Sequence, residues 1–155
     1  MLVNHSDVCL LKYIYRASKS GAFMAKFIAK KTNDLKIRER AYTQYEDYCK
    51  VLKKSETWLF DMGLFPDNLG LLNIVSAFGE ADPKELDKKT FDEISLIFAN
   101  KGMVDASNML LIIKSNDGIS SDILDFANEL GRIQSVNMEG LDTKELGLCC
   151  SYYTA

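Results

Sequence analysis

Apolar residues recur at three- and four-residue spacing along nearly all of this 155-residue chain, and no stretch alternates apolar with polar between turn signals. That periodicity restricts the chain to an all-α fold, because a period near 3.6 puts one stripe of side chains on one face of a helix. Two short polar breaks, Thr32-Asn33-Asp34 and Asn116-Asp117-Gly118, interrupt the pattern. Each is short enough to turn the following helix back antiparallel to the one before it.

The spacing predicts a first helix from about Ser6, as N-cap, to Lys31, and a second from about Asp34 to Met62. The second carries an inner seam of Ile37, Ala41, Gln44, Tyr48, Val51, Ser55 and Leu59, and stops at Gly63 with Pro66 shortly after. From Leu64 to Ala81 the chain is apolar but broken by Gly70 and Gly79, with room for one short helix around Leu69 to Phe78. Such a segment suits a crossover along a bundle. Asp82-Pro83-Lys84-Glu85 reads as an N-cap, a first-turn proline and a capping-box glutamate, so a third helix is expected from there to about Ser115. Its inner residues would be Phe91, Ile94, Phe98, Val104, Met109, Ile112 and Ile113, with Gly102 a weak point costing roughly 1 kcal/mol relative to Ala. Ser120 can cap a fourth helix to about Thr143 or Leu146, with Ile123, Phe126, Ala127, Leu130, Ile133 and Leu141 inward. The expectation is one domain over 1–146, a four-helix bundle of two hairpins joined by a crossover, followed by an irregular tail over 147–155. An up-down bundle with an unusual middle loop is the alternative.

A net charge of −3, with lysines in isolated pairs, opposes a nucleic-acid partner, which needs clustered basic residues. No run of apolar residues approaches the ~18 that a membrane span requires, and the first eleven residues lack the pattern of a signal peptide. The cytoplasm is the expected compartment. Cys9, Cys49, Cys149 and Cys150 form no C-x-x-C pair, and their spacing does not suit zinc. Reduced thiols fit that address, and a redox role for the adjacent tail pair is the alternative.

Several stretches carry a likeness to known proteins: Tyr15 to Gly21, Gln44 to Tyr48, Gly63-Leu64-Phe65-Pro66, and Ile123 to Leu141 with Ala127, Asn137 and Leu141. Together they resemble an uncharacterised group of small ferritin-like bundle proteins from anaerobic Gram-positive bacteria. The resemblance implies a ferritin-like fold and no activity, since its motifs belong to packing and turns.

A di-metal bundle takes a carboxylate from each of two helices and Glu-x-x-His from each of the other two. Here the fourth helix offers Gln134-x-x-Asn137, the second offers Glu46-x-x-Cys49 or Gln44-x-x-Asp47, and the single histidine is His5. No metal, no cofactor and no catalytic residue is therefore assigned. What remains is a candidate interior polar layer of Gln44, Asn108, Gln134 and Asn137, with Glu56 and Asp105 nearby. It would fix helix register, as a buried Asn does in coiled coils, or be the remnant of a metal or ligand site. An irregular carboxylate set of Glu39, Glu46, Glu56, Asp105 and Glu139 would serve the second case.

No serine elbow or phosphate-binding glycine loop accompanies these residues. The expected function is a non-catalytic bundle acting through protein interaction or self-association, with a metal- or small-ligand-binding bundle as the alternative. A homodimer is expected through the first helix, which carries Leu10, Ile14, Phe23, Met24 and Phe27 beside a second apolar stripe. The apolar crossover is the other way to bury that surplus.

Overall fold

Helix ends leave unpaired amides and carbonyls, and the side chains that satisfy them set the boundaries in the computed structural model, which describes residues 4–64 and 87–139. Among the described residues the chain forms four α-helices and no strand: α1 (His5–Lys31), α2 (Leu35–Asp61), α3 (Phe91–Ser115) and α4 (Ser121–Glu139). Asn4 caps α1, its Oδ1 accepting from the amide of Ser6 at 3.0 Å. Ser6, expected as the cap, already lies in the first turn, and its hydroxyl donates instead to the carbonyl of Asp117. Asp34 caps α2 by accepting from the amides of Lys36 and Ile37. That helix closes in a Schellman turn, with Gly63 at φ 76° and the Leu64 amide donating back to the Leu59 carbonyl at 2.9 Å.

The third helix departs from expectation. Thr90 is extended, at φ −70° and ψ 161°, and forms a capping box in which its hydroxyl accepts from the Glu93 amide while the Glu93 carboxylate accepts from the Thr90 amide. Residues 87–89 are turn and bend, so no single helix runs from Asp82 to Ser115. The Asp82-Pro83 signal, the short helix over 69–78, the end of the fourth helix beyond Glu139 and the tail with Cys149 and Cys150 lie outside the described residues.

One core joins all four helices, from Leu11, Ile14 and Tyr15 through Val51 and Leu59 to Phe98, Phe126 and Leu130. Helix α1 packs on α2 and α3, α4 packs on α3 and α2, and α2 and α3 stand diagonally. The start of α1 meets the α3–α4 turn, where the Asn4 amide donates to the Gly118 carbonyl and the buried Asp7 carboxylate accepts from the amide and hydroxyl of Ser120. The hydroxyl expected to cap α4 is thus committed to Asp7, and the Ser120 carbonyl takes the Leu124 amide. At the opposite end the Lys31 ammonium donates to the Asp87 carbonyl. Helix α1 therefore runs antiparallel to α3, and α2 ends where α3 also ends.

The apolar surplus of α1 is spent inside. Leu10, Ile14 and Met24 are buried, and the rings of Phe23 and Phe27 stack half-buried at 6.5 Å. The unburied surplus lies on α3, where Leu96, Val104, Leu110 and Leu111 are exposed. Val104 was expected inside; the inner face at that level is occupied by Lys101, Gly102 and Asp105. By length and composition α3, whose most apolar 18-residue window has mean hydropathy 1.3, is also apolar enough to cross a membrane, contrary to the expectation that no segment qualifies. Only 28% of that window is fully buried; Ile97, Ile112 and Ile113 pack part-buried against the core, and Leu96, Val104, Leu110 and Leu111 are left outside.

Candidate functional site

The polar layer is built mainly by α2 and α4, whose inner stripes place amides where neighbouring turns place Val51 and Leu130. Gln44, Gln134 and Asn137 are all buried, at 3%, 1% and 2% exposure. The Gln44 amide nitrogen donates to the Asn137 side-chain oxygen and, at 2.8 Å, to the Ile133 carbonyl. The Asn137 amide nitrogen in turn donates to the Tyr48 hydroxyl at 2.7 Å. Asn108 is not part of this layer: it is exposed on α3, beside the Tyr13 hydroxyl of α1. The member that sequence reasoning left out is Tyr48, one turn after Gln44 on the same seam.

Two glycines let this layer close. A β-carbon on Gly102 would stand 2.8 Å from both the Asn137 Cβ and the Gln134 carbonyl oxygen, and one on Gly21 would overlap the Tyr48 ring. Gly102 is therefore the point where α3 lies directly against α4 rather than a defect in α3. Beside it, Lys101 and Asp105 form a largely buried ion pair one turn apart, and Tyr13 donates to the Asp105 carbonyl at 2.7 Å. Burial, and next the Asp105 charge, push the Tyr13 phenol well above its usual range. Burial does the same to Tyr48, and the Asp105 charge adds to it against the lowering by Asn137 and Gln44. Both rings are neutral hydrogen-bonding groups at ordinary pH.

Gln134 stands apart. Its amide nitrogen and oxygen are both buried, and neither has a hydrogen-bond partner. Leaving such groups unpaired costs about 1–3 kcal/mol each. Among the described residues no three His, Cys, Asp or Glu side chains come together in a way that could hold a metal ion. Glu39 and Glu46 are exposed, Glu56 is half-buried, Asp105 is committed to Lys101, and His5 is exposed at the start of α1. The side chain of Glu139 lies outside the description. Of the aromatic residues on α2, Trp58 packs against Phe126 at 5.2 Å between ring centres, and Tyr42 and Phe60 are exposed.

The second candidate surface is the outer face of α3. Between Glu93 and Lys114 the only charged residues are Lys101 and Asp105, and both point into the bundle and neutralise each other. The exposed side of the helix is therefore free of charge over five turns. Its signal in the sequence is a doublet of apolar residues repeated every seven positions, Leu96-Ile97, Met103-Val104 and Leu110-Leu111. No protein-family model, no curated protein and no solved structure matches the chain.

Proposed function

We propose that this chain is a non-catalytic helical bundle of ferritin-like topology that acts by self-association, through the outer face of α3. The single observation that carries the reading is the charge-free apolar stripe on that face, with Leu110 and Leu111 more than half exposed, at 56% and 60%. An isolated exposed leucine needs no explanation, but a continuous stripe without charge is the mark of a covered surface. The topology is supported by the placement of the end of α2 and the start of α3 at opposite ends of the bundle. The polar layer supports the non-catalytic part: its amides bond to one another and to Tyr48, and neutral amides offer neither a nucleophile nor a base near neutral pH. The cytoplasm is the proposed compartment.

Sedimentation equilibrium over the micromolar range tests this reading. The wild-type chain is expected to exceed its monomer mass, and Leu111→Lys to return it to the monomer with an unchanged helical circular-dichroism spectrum. A wild-type monomer at all those concentrations would overturn it.

One observation favours a second reading, a small-ligand bundle: the unpartnered Gln134 amide is the group that a polar ligand would pair with. Added iron or manganese is expected to leave the melting temperature unchanged, because anything bound by the folded state alone must raise it. A metal-dependent rise would favour the ligand reading.

A further inference from the structure

We infer that the partner on the outer face of α3 is a second copy of this chain, lying antiparallel about a two-fold axis that passes between Met103 and Val104. This rests on the reading of that face as the interaction surface and adds its partner and geometry. The reason is that the stripe is chemically palindromic. Leu96 lies seven residues before Met103 and Leu111 lies seven after Val104; Asn100 lies three before and Ser107 three after; Glu93 lies ten before and Lys114 ten after. At 100° per residue all of these positions fall on one side of the helix, opposite Ile94, Phe98, Lys101 and Met109, which are buried. In an isologous interface residue i of one copy meets j of the other and j meets i, so each residue here meets the one equally far on the other side of the axis, and each of these meetings is favourable. Leucine meets leucine, the Asn100 amide meets the Ser107 hydroxyl, and the Glu93 carboxylate at the acidic end meets the Lys114 ammonium at the basic end. The seven-residue recurrence of the apolar doublets keeps that seam on one side along its whole length.

The alternatives fit worse. A parallel pair would set Glu93 against Glu93 and Lys114 against Lys114. A lipid surface would receive Asn100 and Ser107 in the middle of the stripe, where hydrocarbon offers them no partner. A second copy offers both.

Cysteine cross-linking tests the register. In the full chain with its four native cysteines changed to serine, Val104→Cys is expected to oxidise mostly to covalent dimer. Leu96→Cys and Leu111→Cys are each expected to stay uncrosslinked alone and to join when mixed in equal amounts. In the chain with native cysteines, Lys114→Glu should raise the dimer dissociation constant several-fold, because two Glu–Glu contacts replace two Glu–Lys contacts. A parallel pair would be unaffected. Self-cross-linking of Leu96→Cys, or an unchanged dissociation constant for Lys114→Glu, would overturn the antiparallel register while leaving self-association standing. A monomeric wild-type chain would remove self-association itself, and a monomer that floats with phosphatidylcholine–phosphatidylglycerol vesicles would assign the stripe to lipid.

Discussion

Gln134 holds both polar atoms of a primary amide in the buried interior without a protein partner, so its contribution to stability is a cost that a leucine of similar size would not carry. Gln134→Leu is expected to leave the protein folded and to raise its stability by about 1 kcal/mol or more in urea titration. Asn137→Ala is expected to do the opposite, by roughly 1–3 kcal/mol, since it removes one partner from the buried Gln44 amide, which keeps the Ile133 carbonyl, and one from the Tyr48 hydroxyl. Gly102→Ala is the sharper case. Helix propensity alone predicts a gain of about 1 kcal/mol, but the new methyl would overlap the Asn137 Cβ and the Gln134 carbonyl, and overpacking of that kind costs about 1–3 kcal/mol. A net loss is expected in the same titration. The buried Tyr48 adds a dependence on pH. Its phenol is held above the value of 10.0 it has when unfolded, so both states keep the proton at neutral pH and only the unfolded chain releases it first on the alkaline side. Stability is fully present below pH of about 10 and falls above it, by up to about 1.4 kcal/mol per pH unit. Tyr48→Phe should flatten that decline in urea midpoints taken at rising pH.

At the level of the helices, the caps carry the local energetics. Thr90→Ala removes the hydroxyl half of the capping box and is expected to cost about 1 kcal/mol, with the loss in helix content confined to the first turns of α3. Gly63→Ala forces a β-carbon into a positive-φ position and should cost about 1–2 kcal/mol, though nothing in the surroundings obstructs it. How far such elements can be read from sequence depends on what sets them. The α2 seam was legible because six of its seven residues, Ala41 to Leu59, follow helical period into the core, with Ile37 alone partly exposed. The amides Gln44, Gln134 and Asn137 were legible for the same reason, since they occupy positions in an apolar stripe. Two things were not. The start of α3 was misplaced because Thr90-Phe91-Asp92-Glu93 is a second capping signal eight residues after Asp82-Pro83-Lys84-Glu85, and it is the one that opens the helix running to Ser115. The facing of α3 was misread around Val104 because apolar residues occur on both sides of that helix, and the inner side is chosen by a lysine, an aspartate and a glycine that a hydropathy pattern assigns to solvent. Asn108 was placed inside by the same error of rotation.

For the molecule as a whole, the two ends of the bundle are fastened differently. At one end the link is a lysine reaching a carbonyl, Lys31 to Asp87, which is exposed and contributes little. At the other, the buried Asp7 carboxylate receives the amide and hydroxyl of Ser120, more than a hundred residues along the chain, at the position where α4 begins. The residue that leads into α4 is thus held by α1, while its own carbonyl takes the Ile123 and Leu124 amides of the helix. The consequence is one of order in time. Until the first turn of α1 has docked, the Ser120 amide and hydroxyl that precede α4 lack the Asp7 acceptor, and that helix can fray from its start while its core residues stay packed. In native-state hydrogen exchange, Asp7→Ala should therefore speed exchange at Ser120 and the amides just after it far more than at the neighbours of residue 7 itself, and protection at the middle of α4 should be lost only with global unfolding.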